Sequence, residues 1–174
     1  MAMNDFNECL VLSENKEVED LFIKAYHKAF YNITNIMYGR KDYCRTQKSG
    51  IDRIIYLENF KVITIDEKVR KKNYDDFALE FISNDKKNTP GWIEKDLSID
   101  YIAYGFLESK TVYLLEWQLL KRSWNNFKDI WKEKYFIAKA ENKGYTTCSV
   151  CVPIKEVLNI VKNASIIKQE TTSQ

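Results

Sequence analysis

The chain has 174 residues, 45% hydrophobic and 14% aromatic, which is enough for one sizeable core and short for two ordinary domains. Lys+Arg 27 against Asp+Glu 25 leaves a formal charge of +2, which excludes a heavily charged nucleic-acid mimic and names no partner by itself. Its apolar runs are only a few residues long, well short of the roughly 18 to 20 that cross a bilayer, so no membrane association and a cytoplasmic location are expected.

The N-terminal stretch MAMNDFNECLVLSENKEVEDLF carries Asp5, Glu8 and Glu14 where a secretory leader has a basic start and an unbroken apolar run, so no signal peptide is expected. The cysteines are then expected to be reduced. From Ser13, a candidate N-cap, to the stop at Gly39, residues Val18, Leu21, Phe22, Ala25, Ala29, Phe30, Ile33 and Ile36 recur at helical spacing and predict one long amphipathic helix.

Three strands are expected next: GIDRIIYL, then VITIDEKVR after the turn ENFK, then DFALEFIS. The first two are so close in sequence that they must form an antiparallel hairpin. SNDKKNTPGW reads as a loop, and SIDYIAYGFL with TVYLLEW as a second hairpin. LLKRSWNNFKDIWKEKYF predicts a helix, YTTCSVCV a last strand, PIKEVLNIVKNA a shorter helix opened by Pro153, and residues 166–174 a disordered tail. The expected architecture is an α/β (α+β) mixed sheet flanked by helices, in one domain over residues 1–165.

Cys148 and Cys151 form a single CxxC with no second pair of matching spacing among Cys9, Cys44 and the lone His27, so they read as small apolar strand residues rather than zinc ligands. Trp117, Trp124 and Trp131 are seven apart and read as core or as a dimer contact. Trp92, beside Pro90-Gly91, reads as an anchor for its loop.

The first hairpin carries charge where packing favours Val, Thr or Ile. If the ENFK turn pairs Leu57 with Val62, Asp52 falls opposite Glu67, and a one-residue shift or bulge sets it opposite Asp66. Asp66 and Lys68 project from one strand face, while Glu67 shares the other with Ile63, Ile65 and Val69. Glu80, between Leu79 and Phe81, is a third carboxylate in an apolar setting. Carboxylates beside one ammonium suit a hard divalent cation, Mg²⁺ or Mn²⁺, which acidifies water and neutralises charge on a phosphate. The acid-x-Lys pattern also occurs at Glu14, Asp85, Glu108 and Glu141, so a solvated edge strand explains the motif equally well; only the Asp66 copy lies in a strand whose partner begins with another Asp.

With these residues the run GIDRIIYL…ITIDEKVR…FALEFIS…TPGWI…IDYIAYGF resembles the PD-(D/E)xK nuclease superfamily, the restriction-endonuclease-like fold, over about Ser13 to Leu115, and is similar to its uncharacterised phage and mobile-element members. In that family a helix leads into a hairpin bearing Asp and then acid-x-Lys. The resemblance implies a nuclease acting on DNA in which Asp52 and Asp66 hold the metal, Glu67 offers its backbone carbonyl and Lys68 assists the attacking water. Gln47, Glu80 and a helix glutamate, Glu19 or Glu17, are accessory candidates. Ile51 stands where the motif name has Pro, and the second acid is Asp rather than the more frequent Glu. Basic clusters at Arg70, Lys71 and Lys72, at Lys86 and Lys87, and at Lys121 and Arg122 are candidate phosphate contacts. The alternative is a catalytically inactive nuclease fold that binds nucleic acid or a protein partner as an accessory factor. A homodimer is expected if two cuts are made.

Overall fold

The computed structural model describes residues 16–39, 50–162 and 164–169. These form a mixed α and β structure in two compact units interleaved along the chain, one from residues 16–73, 96–118 and 164–169, the other from residues 74–95 and 119–162.

The first unit is a six-stranded sheet in the order β1-β2-β3-β6-β7-β10. Strands β1 (Ile33–Tyr38), β2 (Arg53–Leu57) and β3 (Val62–Arg70) form an antiparallel meander. The chain then runs through the second unit before returning as β6 (Tyr101–Phe106), parallel to β3; β7 (Thr111–Glu116) and β10 (Ser165–Lys168) complete the sheet antiparallel.

Helix α1 (Lys16–Ala29) buries Val18, Leu21, Phe22, Ala25 and Tyr26 on one face, the i, i+3, i+4, i+7, i+8 pattern of an amphipathic helix. It packs on β6, β7 and β10. Contact is close at Gly105, where a Cβ would meet Phe22 Cζ at 3.0 Å. At the C-terminal end Lys28 Nζ donates to the carbonyl of Lys168 at 3.2 Å, and Gln169 Nε2 to that of Leu21 at 2.7 Å.

The second unit holds a four-stranded antiparallel sheet in the order β5-β4-β9-β8, from β5 (Thr89–Pro90), β4 (Asp76–Asn84), β9 (Tyr145–Pro153) and β8 (Ile137–Asn142). Helix α2 begins at Trp117 and runs through this unit to Lys134; its Trp124 stacks on Phe81 of β4, centroids 6.4 Å apart, and Trp131 lies beside Trp124 at 6.3 Å. A 3-10 turn, Trp92–Glu94, is clasped to α2 by Lys121 Nζ, which donates to the carbonyls of Ile93 and Lys95 at 3.0 Å each. Helix α3 (Ile154–Ile160) follows β9.

Trp117, Trp124 and Trp131 are all buried, and so is Trp92. Cys148, buried, and Cys151, half-buried, lie on β9, and burial pushes the Cys148 thiol up, away from the thiolate that binds metal. Cys9 and Cys44 lie outside the described residues.

Four elements depart from expectation, the shortest being β5, two residues of the stretch expected as a loop that pair with β4. The first helix stops at Ala29, and Ile33–Tyr38 is strand β1 rather than more helix. Asn32 takes φ 58°, a left-handed conformation that ends a helix, and the β-branched residues after it pair with β2. Ile137–Asn142, a stretch to which the sequence assigns no element, form β8 against β9. Ile166–Lys168, expected within the tail, join Ser165 in β10 and pair with β7, while residues 170–174 and Ser13 lie outside the described residues. No helix among the described residues is long and apolar enough to cross a membrane.

Candidate active site

The site is built at the open end of the β2–β3 hairpin. The observed pairs run from Tyr56↔Val62 to Arg53↔Ile65, one residue away from a Leu57–Val62 pairing. The cause is the turn. Its loop is Glu58 to Phe60, closed by Leu57 N–H to the Lys61 carbonyl at 3.0 Å, with Phe60 at φ 61° in the left-handed position that closes a three-residue hairpin loop. Continued by one step, this register sets Asp52 against Asp66.

Asp52 precedes the first residue of β2, and its backbone is held on both sides: its N–H donates to the Ile65 carbonyl and its carbonyl accepts from Gly39, each 2.8 Å. Its Oδ2 accepts the backbone N–H of Glu67 at 2.8 Å. Asp66 is 4% exposed. Burial pushes its carboxyl from the ordinary 3.8 to about 7, against the pull of the Lys68 charge and with a further push from Asp52. Lys68 Nζ donates to Asp66 Oδ1 and, at 3.3 Å, to the Glu67 carbonyl.

Behind this face lies a second charge cluster. Glu67 alternates to the opposite side of β3, where its Oε1 accepts from Arg53 Nε at 2.9 Å and from the Tyr26 hydroxyl at 2.7 Å. The Arg53 and Glu67 side chains are 5% and 14% exposed. Arg53 also stacks on Tyr38, its Cζ 3.7 Å from the ring centroid. Burial raises the Glu67 carboxyl even though Arg53 and Tyr26 pull it down, and burial with the Glu67 charge drives the Tyr26 phenol well above its ordinary value.

Of the sequence candidates, Asp52, Asp66, Lys68 and the Glu67 backbone are brought together. Glu19 is half-buried on α1, about 10 Å along the helix axis from Tyr26, the α1 residue that reaches this cluster; Glu17 is exposed. Glu80 lies in the second unit on β4, opposite Ser149. Gln47 lies outside the described residues. Arg70 ends β3 half-buried and Lys71 and Lys72 follow it exposed; Lys86 and Lys87 are exposed in a turn of the second unit. Lys121 is committed to two carbonyls, and Arg122 is exposed beside it.

Sequence reasoning missed Arg53, Tyr26 and Tyr38. A signal existed: Arg53 alternates with Asp52 as Glu67 does with Asp66, so two opposite charges share the apolar face of one hairpin, where each needs a partner.

Among the described residues no three His, Cys, Asp or Glu side chains group as a metal cage. The donors present, two carboxylates and one backbone carbonyl, are hard oxygens of the kind that hold Mg²⁺ with water completing its shell. The ammonium of Lys68 lies on two of them, which fits a site shaped for positive charge. Compared with protein-family models, with curated proteins and with solved structures, the chain matches none.

Proposed function

We propose that this protein is a metal-dependent nuclease of the restriction-endonuclease-like type, hydrolysing phosphodiester bonds in DNA. The observation that carries the reading is the meeting of Asp52 and Asp66 at a hairpin end with Lys68 seated on Asp66. The order of helix, then hairpin with Asp and acid-x-Lys, supports the same reading.

Asp52, Asp66 and the Glu67 carbonyl would hold Mg²⁺ or Mn²⁺, which when bound supplies charge neutralisation at the phosphate and a more acidic water. The chain's own residues do the rest. Glu67 N–H fixes the Asp52 carboxylate, leaving its other oxygen for a cation. Lys68, its ammonium a point charge on a side chain 26% exposed, orients the attacking water and stabilises charge developing on the phosphate. Arg70, Lys71 and Lys72 continue from the same strand and offer positive charge to the flanking backbone.

A second reading, a nuclease fold that binds without cutting, is favoured by one feature: Lys68 already neutralises Asp66 within the chain. The two separate in one experiment. Purified wild type and Asp66→Ala are incubated with Mg²⁺ or Mn²⁺ on linear, circular, single-stranded and branched DNA and on RNA. Cutting by wild type that vanishes in Asp66→Ala supports the nuclease. Intact substrates throughout would falsify it, and binding that survives the substitution then favours the second reading.

A further inference from the structure

We propose that Arg53 is a positioning residue of the Asp52–Asp66 site, holding the two carboxylates at working distance through its ion pair with Glu67. The inference rests on the metal-site reading above and adds a residue that makes no contact with the metal ligands' carboxylates on the opposite face.

Strand alternation makes the case. Arg53 follows Asp52 on β2 and Glu67 follows Asp66 on β3, so the Arg53–Glu67 pair bridges the same two strands directly behind the carboxylates. Asp52 lies just beyond the last ladder pair, Arg53↔Ile65, where its N–H still donates to the Ile65 carbonyl and its carboxylate accepts from the Glu67 N–H. The Arg53–Glu67 bridge fixes from behind the residue that supplies that second bond.

Glu67 transmits the constraint through its backbone. Its N–H holds Asp52 Oδ2 at 2.8 Å and its carbonyl meets Lys68 Nζ at 3.3 Å, so the residue whose side chain Arg53 and Tyr26 fix also presents both its peptide groups to the site. A buried ion pair is a poor source of net stability compared with apolar packing, and its best-attested use is to define one geometry. Arg53 is suited to that use: its planar group is pinned by Nε on Glu67 and by the Tyr38 ring, a combination Lys does not reproduce.

The test measures Mn²⁺ binding by titration calorimetry, beside metal-dependent cutting, for wild type, Arg53→Lys, Arg53→Met and the double variant Arg53→Met/Glu67→Gln. The double variant removes both buried charges and is therefore expected to fold even if Arg53→Met, which strands Glu67, does not. The expected result is Mn²⁺ affinity about ten- to a hundredfold weaker in the double variant, as for other residues that orient ligands. Arg53→Lys recovers part of the loss, and the KM for DNA is unchanged. Folded variants that bind Mn²⁺ as wild type does overturn the inference while leaving the nuclease reading intact. A wild type that neither binds Mn²⁺ nor cuts overturns the reading, and the inference with it.

Discussion

The hydroxyl of Tyr26 donates to Glu67 Oε1 across 2.7 Å, joining helix α1 to strand β3 by a hydrogen bond between two residues 41 apart in sequence. Tyr26 is fully buried, and its acceptor is a charged group that burial disfavours. Tyr26→Phe leaves the ring's packing and removes the donor. Hydrogen bonds to charged groups contribute roughly 1.5–3 kcal/mol, so urea unfolding should show a loss of about that size. A change under about 0.5 kcal/mol would mean that Arg53 satisfies Glu67 alone.

The buried Asp66 makes stability depend on pH. Its carboxyl rises to about 7 in the folded protein from 3.8, so between these values the native state holds a proton that the unfolded chain releases. The stabilisation is complete below about pH 4 and is lost as pH rises through about 7. In metal-free buffer the unfolding free energy should fall by roughly 2 kcal/mol between pH 5.5 and pH 8. Asp66→Asn should remove its share of that slope and leave that of Glu67, whose carboxyl is shifted in the same direction.

Lys68→Met tests the role proposed for the ammonium. Loss of one preorganised group that stabilises a transition state lowers kcat by about a hundredfold to a thousandfold, and DNA affinity in the absence of cutting should change little. Single-turnover cleavage beside a gel-shift titration measures both. Equal losses in binding and rate would assign Lys68 to phosphate contact instead.

Gly39→Ala probes the support on the other side of Asp52. A Cβ at Gly39 would collide with the carbonyl of Ile51, next to the residue whose own carbonyl accepts the Gly39 N–H. The backbone there must shift, at roughly 1–3 kcal/mol by the usual cost of overpacking, and Mn²⁺ binding should weaken in parallel. Denaturant unfolding and calorimetry on the same preparation check the pairing of the two effects.

Much of this arrangement was legible where period and face coincide. VITIDEKVR was bounded correctly as a strand because Ile63 and Ile65 alternate with polar residues, and the convergence of Asp52 on Asp66 was one of two registers that the turn allowed. The choice between them hung on Phe60, a residue type that gives no hint of adopting a left-handed backbone. Ile33 and Ile36 continue the helical spacing of α1 by coincidence, and only sheet pairing reveals Ile33–Tyr38 as strand. The Arg53–Glu67 pair stayed hidden because charged residues in a strand are ordinarily solvated, and their burial depends on Tyr26 and Tyr38 arriving from elsewhere in the chain.

The parallel pairing of β3 with β6 has a consequence for a chain emerging from the ribosome. Residues 71–100 separate the two strands, so at roughly 5–20 residues per second β3 waits seconds with one edge bare. The half of β3 that pairs with β6 is the half that carries Asp66, Glu67, Lys68 and Arg70. Charges on an open strand edge discourage pairing with other chains. The residues proposed to cut DNA therefore also guard the nascent hairpin against the wrong neighbour until the right one is made.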